Sequence, residues 1–157
     1  MRARLYLETT IPSYYVARPS KNAITAARQK VTHHWWAKRL RDFEVFISDV
    51  VIDEVALGEP AMAKRRLELL KPFPRLAATS ESEALTETLL TSGVLPAKAS
   101  RDAAHIAVSA AHAMHFLLTW NCRHIANAEL LRKEEEVCRN HGFQCPVVCT
   151  PDELMGA

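Results

Sequence analysis

Apolar residues in this chain fall into short continuous runs, separated by longer stretches in which they recur every three or four positions. The short runs read as buried strands: Leu5 to Leu7, Val45 to Ser48, His115 to Thr119 and Val147 to Cys149. Arg75 to Ala78 is a weaker fifth, demoted by Pro72 and Pro74 beside it. The longer stretches predict helices. Ala23 to Leu40 carries Ala26, Ala27, Val31, Trp35 and Leu40 near helical spacing, and Ala97 to Met114 carries Ala103, Ile106, Ala107, Ala110 and Met114 along one face. Val50 to Leu57 ends at Gly58, Ala61 to Leu70 begins behind Pro60, and Asn127 to Asn140 stops before Gly142. Ser80 stands three residues before Glu83, a capping-box spacing that starts a helix running to Leu90 and closed by Ser92-Gly93. Pro151 to Leu154 is a short closing turn of helix.

Strands alternating with helices predict an α/β architecture: a parallel sheet with helices on both faces, joined by right-handed crossovers. The 157 residues suit one domain, and no repeat, linker or low-complexity tract divides them. Apolar residues at 48% and charged residues at 24% fit a soluble globular chain rather than a disordered one. Only 4 Gly are present, which excludes a Gly-rich phosphate loop, and the net charge of +2 neither predicts nor opposes nucleic-acid binding. The apolar run after Met1 is too short for a secretory signal and no stretch is long enough to span a bilayer, so the expectation is a cytoplasmic protein with reduced thiols. Cys122, Cys138, Cys145 and Cys149 all lie in the last quarter of the chain. A zinc site built from Cys138, His141, Cys145 and Cys149 is a minor alternative, because the spacing matches no known finger or ribbon.

Four polar residues stand at matching places in this alternation. Glu8 ends the first strand, Glu54 lies on the helix after the second, Asp102 lies near the start of the helix leading into the fourth, and Asn121 follows the fourth. The carboxyl edge of a parallel sheet is where ligands bind. Glu8 and Asn121 converge there if strands one and four are neighbours, and the helix carrying Asp102 runs antiparallel to strand four, which brings its start to the same edge. Carboxylates gathered at one place repel unless a cation lies between them, and an all-oxygen set favours Mg²⁺ or Mn²⁺. Asp49 and Asp53 compete for the role of Glu54. Glu54 follows Val50 and Val51 at helical spacing, which turns it inward.

Thr9, Thr10 and Thr119 are placed to hydrogen-bond these acids. His105, one turn after Asp102, reads as a hydrogen-bonded packing residue before a catalytic base. His33-His34-Trp35-Trp36 could offer an aromatic platform for bases, although a helix burying one of the two tryptophans is the commoner arrangement. Arg28, Lys30, Lys38, Arg39 and Arg41, with Lys64-Arg65-Arg66, are available to grip phosphates, whereas Arg132-Lys133-Glu134-Glu135-Glu136 reads as a solvated face.

Four segments together resemble the PIN-domain ribonucleases, the fold of the toxin in VapBC-type toxin–antitoxin pairs. They are Tyr6-Leu7-Glu8-Thr9-Thr10, the stretch from Phe46 through Val51-Ile52 to Glu54, Asp102-Ala103-Ala104-His105-Ile106-Ala107, and Leu118-Thr119-Trp120-Asn121. The third is the most specific, and the likeness spans nearly the whole chain in order. It implies a three-layer α/β/α sandwich with a five-stranded parallel sheet. It also implies Mg²⁺- or Mn²⁺-dependent hydrolysis of RNA, with Glu8, Glu54, Asp102 and Asn121 as the catalytic and metal-binding set. A homodimer and a cognate antitoxin that blocks the acidic groove follow from the same resemblance. The family usually has Asp at the first and last of these positions, where this chain has Glu8 and Asn121. A second reading therefore stands beside the first: a PIN fold of weak or no catalytic power that binds RNA or protein.

Overall fold

Leu5, Tyr6 and Leu7 are all fully buried, the mark of a strand covered on both faces. They belong to β1 (Ala3–Leu7), the central strand of the computed structural model, which describes residues 1–157. The other strands are β2 (Phe43–Ser48), β3 (Arg75–Leu76), β4 (Phe116–Leu118) and β5 (Val147–Cys149). All pair in parallel, in the order β3-β2-β1-β4-β5. The predicted five-stranded parallel sheet is present. Leu5 sits opposite Val45 on one side and Phe116 on the other. The chain steps outward from β1 through β2 to β3, then returns to place β4 on the opposite flank of β1. The strand order therefore switches direction between β1 and β4, and a crevice opens at their carboxyl ends.

Seven helices cover the sheet: α1 (Thr10–Val16), α2 (Ala23–Lys38), α3 (Asp49–Val55), α4 (Pro60–Leu70), α5 (Ser80–Thr91), α6 (Ser100–Ala111) and α7 (Ala128–Asn140). α1 packs on α2 and α4, while α5 packs on α6 and α7. One continuous core of 29 buried apolar residues joins these groups to the sheet. No helix is long and apolar enough to cross a membrane.

Local chemistry explains where the elements begin and end. Ser48 caps α3 by accepting from the Val51 N–H at 3.4 Å, and Pro60 opens α4 where its missing N–H costs no hydrogen bond. The α5 capping box lies one residue earlier than its sequence suggests. Thr79, not Ser80, is the cap, and it exchanges hydrogen bonds with Ser82 rather than Glu83, because Thr79 has the extended backbone that a cap requires. The segment after Glu8, for which the apolar pattern predicts no element, forms the helix α1. Pro12 is tolerated there because it falls in the first turn, where N–H groups have no intrahelical partner.

The α6 helix is preceded by a 3-10 turn (Ala97–Ala99) and stops at Ala111, short of the predicted Met114. Ala113 takes a left-handed conformation (φ 54°) and the Met114 N–H returns to the Ser109 carbonyl at 3.0 Å, a Schellman ending without its usual glycine. On α2 the buried face is Gln29, Thr32 and Trp35, so Trp35 enters the core while Trp36 stays half-buried.

The charged run on α7 is not wholly solvated. Glu134 shares the buried stripe with Val137 and Cys138, one turn on, and both of its carboxylate oxygens lack a hydrogen-bond partner. Burial, reinforced by Cys138, Asp102 and Glu135, raises its pKa from 4.5 to about 8. The folded chain therefore holds a proton that the unfolded chain releases, and stability falls as pH rises through the window from 4.5 to about 8. Glu134→Leu, of similar volume, is expected to raise the unfolding free energy at pH 8 by roughly 1–3 kcal/mol and by clearly less at pH 5. Urea unfolding at the two pH values measures this, and an equal gain at both would contradict it.

Candidate active site

β1 and β2 lie side by side, so Tyr6 near the end of one strand and Ser48 at the end of the other face the start of α3 and the first half of α6. Their side chains form one buried hydrogen-bond chain. The Ser48 hydroxyl is 2.7 Å from the Tyr6 hydroxyl, and the Tyr6 hydroxyl is 2.6 Å from His105 Nδ1. His105 Nε2 in turn bonds to Glu54 Oε1. One assignment of protons satisfies every member. The Val51 N–H donates to Ser48, Ser48 to Tyr6, Tyr6 to Nδ1, and the Nε2–H to the Glu54 carboxylate. Thr9 Oγ1 adds a second donor to Glu54 at 2.7 Å.

Burial opposes ionisation of Glu54, but His105, Thr9 and Arg101 outweigh it and bring the carboxyl below its ordinary range. The same burial pushes the Tyr6 phenol far up. Glu54 is therefore the inward acid of its helix, while Asp53 is exposed and Asp49 pairs with Arg75 at 3.7 Å.

A second group forms across the crevice. Asp102, in the first turn of α6, accepts from Asn121 Nδ2 at 3.0 Å on one oxygen and lies 2.8 Å from His124 Nδ1 on the other. Asn121 Oδ1 accepts from the N–H groups of Arg123 and His124, at 3.2 and 3.1 Å, so the amide holds both its own turn and its acidic neighbour. A carboxylate at position 121 could not donate to Asp102 in this way.

Glu8 lies between the groups and is 3% exposed. Its carboxylate accepts from the Thr10 N–H, the Thr10 hydroxyl at 2.6 Å and the Thr119 hydroxyl at 2.8 Å. Burial raises its pKa, while His105, Thr10 and Thr119 oppose the rise.

The sequence-predicted residues thus occupy one region as two hydrogen-bonded groups and a sealed acid. No group of three or more His, Cys, Asp or Glu side chains is arranged to hold a metal ion. The reason is local: Glu8 is enclosed by threonines, and Glu54 and Asp102 are each engaged by a histidine. What does open to solvent is a cleft lined by Glu54 and Asp102 together with Lys98, Ser100 and Arg101. Two carboxylates beside open space fit a Mg²⁺ or Mn²⁺ ion, which takes one or two protein carboxylates and fills its remaining positions with water and substrate.

The proposed zinc residues do not assemble as a set of four: the Cys138 and Cys145 thiols lie against each other, but the other two are engaged elsewhere. His141 bonds to Thr88 at 2.9 Å, and Cys149 is buried against the Leu117 carbonyl, its thiol pushed up to about 12 by burial. Among the aromatic and basic candidates, Arg28 stacks over Trp120 at 5.2 Å, and His33 and Trp36 each pack on Tyr15. His124, Tyr6 and Ser48 have no distinct sequence signal beyond proximity to Asn121, Glu8 and the second strand end.

No protein-family model matches the chain, and no curated protein matches it. Among solved structures, a chain in the crystal structure of VapBC2 from Rickettsia felis, bound to a DNA fragment from their promoter, shares the fold. The match covers 94% of this chain and 98% of that one, with a TM-score of 0.56 and 12% identity. At that identity the likeness speaks for the fold.

The Tyr6–His105–Glu54 chain is expected to be cooperative. His105→Ala takes one hydrogen bond from the Tyr6 hydroxyl, which keeps Ser48, and one from Glu54 Oε1, which keeps Thr9, and leaves a cavity; it is expected to cost about 2–4 kcal/mol, and Tyr6→Phe about 1–2 kcal/mol. The double variant is expected to cost measurably less than the sum. Urea unfolding of the three variants gives the cycle, and strict additivity would show the bonds to be independent.

Proposed function

We propose that this chain is a metal-dependent endoribonuclease of the toxin–antitoxin type, hydrolysing RNA phosphodiester bonds in the Glu54–Asp102 cleft. The observation that carries the proposal is the composition of that cleft: two carboxylates positioned in advance, beside Lys98, Ser100 and Arg101. Cations beside acids suit a phosphodiester, because Lys98 and Arg101 offset the charge of the phosphate while the acids act on the reacting centre. The fold shared with a VapBC2 chain supports the same reading.

Each residue has a part in this proposal. Glu54 and Asp102 would hold Mg²⁺ or Mn²⁺, with Asn121 beside them. When bound, such an ion supplies Lewis-acid polarisation of the phosphate and lowers the pKa of water. His105 and Thr9 fix the Glu54 carboxylate, while Asn121 and His124 fix Asp102, so neither acid has to reorganise when RNA arrives. A small antitoxin covering the cleft, and a second copy of the chain as a homodimer, complete the proposal. One observation favours the second reading, a binding module without catalysis: the carboxylates of the site are already satisfied by protein donors.

Purified protein is expected to cleave structured or single-stranded RNA in Mg²⁺ or Mn²⁺ and to stop in EDTA. Asp102→Ala is expected to reduce the rate by about 10²-fold or more. A labelled-RNA cleavage assay decides. Activity that survives EDTA or Asp102→Ala overturns the proposal, and RNA retention without cleavage selects the binding module.

A further inference from the structure

Glu8 and the turn that follows β4 are 111 residues apart in sequence yet joined by two parallel arms. In the first, the Thr10 hydroxyl donates to Glu8 Oε1 at 2.6 Å and its oxygen accepts the Trp120 N–H at 2.8 Å. In the second, the Thr119 hydroxyl donates to the same Oε1 at 2.8 Å and its oxygen accepts the Asn121 N–H at 2.9 Å. The Thr10 N–H closes the arrangement with contacts of 3.0 Å to both carboxylate oxygens. One buried side chain therefore fixes two successive amides of the segment that presents Asn121 and His124 to Asp102. The Glu8 N–H also reaches the Leu118 carbonyl, so backbone and side chain tie the same two strand ends.

We infer that Glu8 is a positioning residue: its carboxylate clasps the Trp120–Asn121 backbone and so sets Asn121 and His124 on Asp102, rather than ligating an ion itself. The oxygen that gathers most of the donors is a single acceptor, and charge is not needed to fill that role. Length is needed. An aspartate is shorter by one methylene, about 1.5 Å of reach, and cannot hold Thr10 and Thr119 together from the same backbone. The functional part of this inference rests on the cleft proposed above, whereas the clasp stands on its own.

Two measurements on the full chain separate these parts. Amide exchange followed by NMR reads the clasp without any metal. Glu8→Ala and Glu8→Asp are expected to speed exchange at Trp120 and Asn121 by about tenfold or more relative to the β2 amides, and Glu8→Gln, which keeps Oε1 as acceptor for both hydroxyls and gives up only the Thr10 N–H contact at Oε2, is expected to leave both near the parent rate. Unchanged exchange in Glu8→Asp overturns the clasp, even if Glu8→Ala does not fold.

Titration calorimetry with Mn²⁺ reads ligation. Glu8→Gln is expected to bind within about threefold of the parent, whereas Asp102→Asn is expected to lose on the order of 10–100-fold or more. A comparable loss in Glu8→Gln, or tighter binding in Glu8→Asp, makes Glu8 a ligand and overturns the inference. A parent that binds no Mn²⁺ removes the metal proposal instead, and the exchange data alone then decide the clasp.

Discussion

A strand covered on both faces and paired on both sides carries its side chains into the protein interior. β1 is such a strand, and Tyr6 on it and Glu8 directly after it are buried polar side chains. A buried polar group without a partner costs of order 1–3 kcal/mol, so the fold must supply partners from whichever elements surround β1. It draws them from separate places: Ser48 from β2, His105 from α6, Thr10 from α1 and Thr119 from the end of β4. The demand for satisfaction at one strand end thus fixes the relative placement of four other elements. The crevice at the β1–β4 switch point inherits its shape from those bonds.

The same constraint orders the charges. Glu54 and Asp102 remain about one-fifth exposed at the cleft, and each has a histidine as its nearest partner. Histidine suits this place because it donates to a carboxylate on one nitrogen and still offers the other to the fold or to solvent. His105 uses both nitrogens and is itself buried, so it belongs to the scaffold. His124 uses Nδ1 on Asp102 and stands at the rim. Glu134 is the contrast. It is buried with no donor near either oxygen, and its carboxyl avoids the cost of a bare charge by keeping its proton to about pH 8.

Much of this was legible in the sequence, for reasons that also mark where reading fails. The central strands announce themselves because Leu5-Tyr6-Leu7 and Val45-Phe46-Ile47 lie inside the sheet and are apolar on consecutive positions. Glu54 was separable from Asp49 and Asp53 because Val50 and Val51 define the inward face of α3. Positions decided by one hydrogen bond were not legible. Thr79 and Ser80 are equally good caps by composition, and only backbone conformation selects between them. Ala113 ends α6 in a conformation that sequence reserves for glycine, and α1 hides behind β-branched residues and Pro12. Glu134 looks like any acid in a charged run, because its burial comes from the packing of α7, which lies on α5, rather than from its sequence neighbours. His124 lay outside every pattern, since its role exists only once Asn121 has folded the turn back on Asp102.

The two departures from the resembled pattern, Glu8 and Asn121, are linked through the Thr119 hydroxyl, which donates to one residue and accepts from the backbone of the other. An aspartate at 121 would set a second negative charge against Asp102 and demand a cation for stability. Asn121 instead donates to Asp102 and accepts from two amides, so the turn is complete without an ion. Glu8 has the reach to hold that turn from beneath while remaining sealed from the cleft. Longer acid and neutral amide are thus complementary changes. They give a cluster that is satisfied by hydrogen bonds, and they leave Glu54 and Asp102 facing the cleft in fixed orientation. Glu54 and Asp102 are each engaged by two side chains from other elements, so their orientation at the cleft is set by the fold itself.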